Sequence, residues 1–199
     1  MADIIYTFEN NVYFNLTNKC TCSCIFCIRK GHDGLGDAET LWHDHTPSWE
    51  EIEDALEHFD FTGYKEAVFC GYGEPTCAYD NMILTAKYMK EHYPDIQLRL
   101  NTNGLGEIYN KKPIVEELAQ YIHTVSISLN APDSVRYSEV TRPCYPDAFQ
   151  TMLGFAKKAK EAFPCVKFSV VDVISEEEIE ACQKLADELG IPLRVRTFV

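Results

Sequence analysis

Residues 97–103 read QLRLNTN and residues 124–130 read TVSISLN, and in both an apolar side chain alternates with a polar one. Leu98 and Leu100 alternate with Arg99, Asn101 and Asn103, while Val125, Ile127 and Leu129 alternate with Ser126, Ser128 and Asn130. Successive side chains of a strand point to opposite faces, so each segment reads as a strand with one apolar and one polar face. The pattern recurs in FNLTN at 14–18, and at Leu193 to Arg196. Working outward, strands are expected at about Val12 to Thr17, Ala67 to Cys70, Leu98 to Asn101, Val125 to Leu129, Val166 to Val171 and Leu193 to Thr197. Helical patterns fill the gaps. Ser48 with Glu51 and Ser175 with Glu178 have capping-box spacing, and Gly190 before Pro192 reads as the end of the last helix.

Regular alternation of strand and helix implies a parallel sheet with right-handed crossovers. A doubly wound sheet buries both faces and asks for continuously apolar strands. Half-polar strands put helices on one side and something wet or charged on the other. The expectation is therefore an α/β fold, a partial (β/α)6 barrel of parallel strands with a polar interior, forming a single domain over residues 1–199. An antiparallel sheet with solvent on its polar face is the alternative.

Hydrophobic residues make up 46% and charged residues 25%, the balance of an ordinary globular protein. No stretch reaches the ~18 apolar residues that span a bilayer, and MADIIYTFENNVYF lacks the form of a secretion signal, so a cytoplasmic location without membrane contact is expected. A net charge of −13 with scattered Lys and Arg disfavours nucleic-acid binding through phosphates. In a reducing compartment, nine cysteines suggest metal binding or redox chemistry rather than disulfides.

Four of the nine lie in NLTNKCTCSCIFCIRK, just after the first expected strand, as C-x3-C-x2-C at Cys20, Cys24 and Cys27 with Cys22 extra. Three thiolates on one loop can hold three irons of a cubane and leave the fourth iron open to an outside ligand. A zinc knot completed by Cys22 or His32 is the alternative. The second motif, CGYGEPT, follows the second expected strand, where a parallel barrel places its active-site loops. Gly71 and Gly73 would let backbone approach a ligand, and Glu74 and the carbonyls beside Pro75 would accept hydrogen bonds from an ammonium group.

Together these features resemble the radical S-adenosylmethionine (SAM) superfamily, whose signature is C-x3-C-x-aromatic-C, with Phe26 as the aromatic, followed by a Gly-Gly-Glu-Pro-like turn. NLTNKC, FCGYGEPT, LRLNTNG, SISLNAPD, TRPC and PLRVR look like the small TatD-linked radical SAM family over nearly the whole chain. The resemblance implies a 4Fe-4S cluster on Cys20, Cys24 and Cys27, with SAM chelating the unique iron. It implies SAM contacts from Glu74, the Gly73 to Pro75 backbone and Gly71, with Phe26 near adenine. Ser126, Ser128 and Asn130 would meet ribose and carboxylate, with Asn101, Thr102 and Asn103 beside them. The implied activity is reductive cleavage of SAM to a 5'-deoxyadenosyl radical that takes hydrogen from a substrate such as a small anionic metabolite. The implied partners are an electron donor such as flavodoxin or ferredoxin and a TatD-type hydrolase. A glycyl-radical activase acting on a partner protein is one alternative, and a non-catalytic zinc or electron-transfer protein is another. Tyr72, between the two glycines, departs from the usual motif, with little expected consequence.

Other residues carry two readings each. Cys77 and Cys144 serve the active face or pack as small hydrophobes. Cys22 is expected to point away from the cluster. His32, His43 and His45 lie in GHDGLGDAETLWHDH, expected as a flexible lid rather than a second metal site. Arg194 and Arg196 either bind a carboxylate or form a solvated rim or an ion pair with Asp172. Arg142 either reaches SAM or ends a helix.

Overall fold

The computed structural model describes residues 2–198. Seven strands form one sheet: β1 (Ile5–Phe8), β2 (Asn11–Phe14), β3 (Glu66–Phe69), β4 (Gln97–Thr102), β5 (Thr124–Ser128), β6 (Cys165–Val171) and β7 (Leu193–Arg196). Their spatial order follows the sequence, with β1 antiparallel to β2 and every later neighbour parallel. The six expected strands are β2 to β7. The seventh comes from a hairpin whose two turn residues, Glu9 and Asn10, have φ of 47° and 63°. Positive φ at both centres is the tight turn whose twist matches paired strands.

When parallel strands are added in one direction by right-handed crossovers, all the helices land on one face. α1 (Trp49–His58), α2 (Tyr79–His92), α3 (Gly106–Asn110), α4 (Val115–Leu118), α5 (Ser134–Thr141), α6 (Ala148–Ala162) and α7 (Glu176–Leu189) follow the strands in turn. Leu98, Leu100, Val125, Ile127, Phe168 and Val170 face them in the main core, with Met82, Met89, Phe155 and Cys182 from the helices. The capping boxes at Ser48 and Ser175 form, and Gly190 ends α7 with φ 62°.

The sheet does not close, leaving β1 and β7 as its edges. The inner face is also not polar throughout. Residues 28–45 cross it as a strap, and Leu41 packs there with Tyr6, Tyr13, Val68 and Tyr72. The strap is tied down: Thr7 N and Oγ1 donate to Asp37 at 2.6 and 2.8 Å, and Asn15 Nδ2 donates to Leu41 O at 2.9 Å. The expected lid is a fastened covering over β1 to β3, and the polar part of the face begins at β4.

Candidate active site

Beyond β2 the chain runs through Asn15–Lys19 into the cysteine loop, and three other segments hold that loop. The first is the end of α5 with the residues that follow it. Ser23 N donates to Thr141 O at 3.0 Å, Ile25 N to Val140 O at 2.9 Å, and Cys144 N to Thr21 O at 2.9 Å. Cys22 also bridges Pro143 in an antiparallel sense. Arg142, at φ 46°, caps α5, and its carbonyl accepts a second bond from Ser23 N. The TRPC segment is thus a clamp on the cysteine loop, and Arg142 takes the helix-ending role.

The second segment is the turn after β3. Glu74 N donates to Lys19 O at 2.8 Å. A Cβ on Gly73 would lie 2.2 Å from Thr17 O, and one on Gly71 would lie 2.2 Å from Asn15 Oδ1. Packing against the chain leading to Cys20 therefore requires both glycines, before any ligand is considered. Tyr72 N donates to Asn15 Oδ1 at 3.2 Å, and its buried ring anchors the strap, with its hydroxyl bonded to His32 O. Arg29 Nη1 donates to Asn18 O and Tyr72 O at 3.1 and 3.2 Å.

The third is the end of β4. Glu74 is buried and accepts four bonds: Thr76 N at 3.2 Å, Thr76 Oγ1 at 2.8 Å and Thr102 Oγ1 at 2.7 Å at Oε1, and Asn103 N at 2.8 Å at Oε2. Burial raises its pKa, against the pull of these donors. A carboxylate offers about four lone-pair positions, two per oxygen, so Oε2 keeps room for one more donor. Asn103 Nδ2 in turn donates to Thr21 Oγ1 at 2.8 Å, with Cys22 Sγ at 3.7 Å and Cys20 Sγ at 3.9 Å. Pro75 opens a buried 3-10 turn ending at Ala78.

Cys20 is exposed, Cys24 and Cys27 are half-buried, and Cys22 is buried in the main core. The Cys22 thiol hydrogen-bonds Cys24, which holds Cys24 below the usual thiol range, helped by Lys30 and Arg29. The thiolate is the form that ligates metal, so this shift favours ligation at Cys24, whereas burial pushes the Cys20 thiol up to about 12. Among the described residues no three Cys, His, Asp or Glu side chains gather around one point as a single metal ion requires. A cubane instead takes one thiolate on each of several irons, and three separate thiols on one clamped loop fit that donor set. Phe26 is half-buried and packs on the core.

Asn101 lies beside the Cys70 thiol, which burial pushes up. Ser126 is buried and pairs with Asn101 across the sheet, and Ser128, two residues on and on the same face, is half-buried. Asn130 sits at φ 58°, and its buried Oδ1 has no partner among the described residues. A strained residue with an unsatisfied acceptor fits a site that awaits a polar ligand such as SAM. The structure thus brings together the cysteine loop, Glu74, Thr102 and Asn103, and sets the Ser126, Ser128 and Asn130 row beside them. The histidines lie apart: His43 Nε2 meets Asn15 O at 2.8 Å and His45 pairs with Glu51 at 2.8 Å. Cys77 is half-buried and Cys144 exposed. Arg194 and Arg196 are exposed on β7, and the Asp172 carboxylate accepts from Phe198 N at 2.7 Å. Sequence reading missed Thr21 and Arg29, and it missed that the TRPC segment is a clamp. Nothing local marks them, because each acts across a long stretch of chain.

The family model described as the radical SAM superfamily matches residues 14–188. A probable GTP 3',8-cyclase of Methanocaldococcus jannaschii is 24% identical over 191 residues, which cover 93% of this chain and 57% of that protein. SuiB of Streptococcus suis, solved with S-adenosylmethionine, is similar in structure with a TM-score of 0.65 at 21% identity, covering 94% of this chain and 38% of SuiB. The protein anSMEcpe, also solved with S-adenosylmethionine, gives 0.64 at 17% identity, covering 94% of this chain and 50% of that one. The chain therefore spans only between about two fifths and three fifths of these relatives. The family uses a 4Fe-4S cluster and SAM, and the clamped three-thiol loop has the donor set for that cluster. By its cysteine loop, its open parallel sheet and a family match over most of its length, the chain belongs to the radical SAM superfamily.

Proposed function

We propose that the protein, acting as one domain over residues 1–199, cleaves SAM reductively and abstracts hydrogen from a small anionic metabolite. The carrying observation is the cysteine loop fixed between the Glu74 turn, the end of β4 and the TRPC clamp. When bound, the cluster and SAM supply one-electron cleavage to methionine and a 5'-deoxyadenosyl radical.

Cys20, Cys24 and Cys27 hold the cluster. The free position on Glu74 Oε2, with Gly71, Gly73 and Pro75 shaping the turn, receives the SAM ammonium. Asn130 Oδ1 takes a ribose hydroxyl, with Ser126, Ser128, Asn101, Thr102 and Asn103 completing the polar row, while Phe26 shields adenine. An anionic substrate suits the polar half of the inner face, where arginines stand on β7, and the relative named for GTP acts on a polyanion.

The motifs quoted above support placement in the TatD-linked branch, a functional tie to a TatD-type hydrolase, and an external reductant such as flavodoxin or ferredoxin. Anaerobic reconstitution with iron and sulfide, reduction with dithionite and assay for 5'-deoxyadenosine test the reading. Wild type should form it and Cys24→Ala should not. A well-formed cluster that neither binds nor cleaves SAM would leave an electron carrier instead.

A further inference from the structure

The inner face of the sheet changes character across its width. Over β1 to β3 it is covered by the strap, and from β4 onward it carries cations. Side chains two residues apart share a face, so Arg99 points the same way as Asn101, and Lys167 the same way as Ser169. The ladders align these rows: Asn101 pairs with Ser126 and Ser126 with Lys167, while Ser169 pairs with Arg194 and Val171 with Arg196. Arg99 pairs with Val68 under the strap edge. Four cations therefore share the inner face.

Their neighbourhood is short of anions. Among the described residues the one ion pair any of them makes is Arg99 to Glu66, at 3.3 Å. Arg99 Nε is buried and has no acceptor among the described residues. Burial, then Arg99 and Arg194, hold the Lys167 pKa below the usual lysine value, as expected for cations within each other's field. Gathering four cations beside one carboxylate brings mutual repulsion that opposes folding. Such a cluster calls for a ligand. Arginine forks and a lysine ammonium match the three acceptor oxygens of phosphate.

We propose that Arg99, Lys167, Arg194 and Arg196 bind a phosphate group of the substrate. The inference rests on the radical reading for calling the ligand a substrate. Arg194 is level with Ser169 and, through it, with Ser128, whereas Lys167 lies two residues lower, about 7 Å along the strand. A phosphate held there leaves the rest of the molecule facing the cysteine loop at the strand ends.

The test titrates reconstituted holoenzyme with inorganic phosphate, pyrophosphate and glycerol phosphate at matched ionic strength, in wild type, Lys167→Met and Arg194→Ala. Both substitutions lie on half-buried or exposed positions, so folding is not at stake. Wild type should bind, with glycerol phosphate at least as tight as phosphate, and each variant should bind at least about tenfold more weakly with its SAM affinity retained. Equal binding by the variants, or none by wild type, overturns the proposal. A site accepting inorganic phosphate but no ester overturns the substrate assignment. Lost SAM affinity with phosphate binding intact also overturns it, giving the cations to the SAM carboxylate. Formation of 5'-deoxyadenosine is scored separately. Cation-dependent phosphate binding without SAM cleavage would sink the radical reading and keep the anion site.

Discussion

Gly73→Ala distinguishes a glycine that admits a ligand from one that admits its own chain. The added Cβ would lie 2.2 Å from Thr17 O and 2.6 Å from Lys19 O, both backbone atoms. Ordinary contact is about 3.5 Å, so the segment must move by roughly 1 Å. Overpacking of this kind costs about 1–3 kcal/mol. The shift also loosens the Glu74 N to Lys19 O bond, worth about 1 kcal/mol. For 199 residues, unfolding entropy near 2.1 cal/mol/K per residue gives about 0.4 kcal/mol per degree, so Tm should fall by roughly 5–10 °C. Gly154, inside α6, is the control, because a Cβ there meets nothing within 4 Å. Gly154→Ala should raise Tm by about 2 °C through helix propensity. Scanning calorimetry of the apoprotein without SAM makes the measurement. If Gly73→Ala leaves Tm within about 1 °C of wild type, the packing account is wrong and the glycine exists for the ligand.

Asn103→Ala removes the bonds to Thr21 Oγ1 and from Leu105 N and should cost about 1–3 kcal/mol in urea unfolding, with less iron retained per chain after reconstitution. Unchanged stability and iron would mean the cysteine loop does not depend on β4. Lys167→Met should stabilise the ligand-free protein at pH 7, because the folded pKa is lowered and the protonated form is disfavoured there. That gap should close as pH rises from the lowered folded value toward the ordinary lysine value, and a variant less stable than wild type at pH 7 would refute the crowding of cations.

The parallel sheet was legible because one-sided helix packing writes itself into each strand as alternation. Leu98 and Leu100 had to meet helices, whereas Arg99 and Asn101 had to avoid them. The capping boxes were legible because a cap is local. The hairpin was missed because its first strand, Ile5–Phe8, is only four residues long and shows no clean alternation of apolar and polar side chains, so the first strand was expected only from Val12. The strap was read as a loose loop because its glycines and polar residues suit mobility. Its bonds to Thr7 and Asn15 depend on where β1 and β2 lie. The cysteine spacing marked the ligands, but a three-residue motif does not encode the clamp that holds it.

That clamp ties the time of assembly to the length of the chain. Cys22 meets Pro143, so the thiols leave the ribosome some 120 residues before the segment that fixes them. At about 5–20 residues per second, they wait on the order of ten seconds in an unfinished loop. During that interval they are ordinary reactive thiols, open to oxidation and to stray metals. The loop that would hold the cluster is therefore complete only once the chain has been made past Pro143.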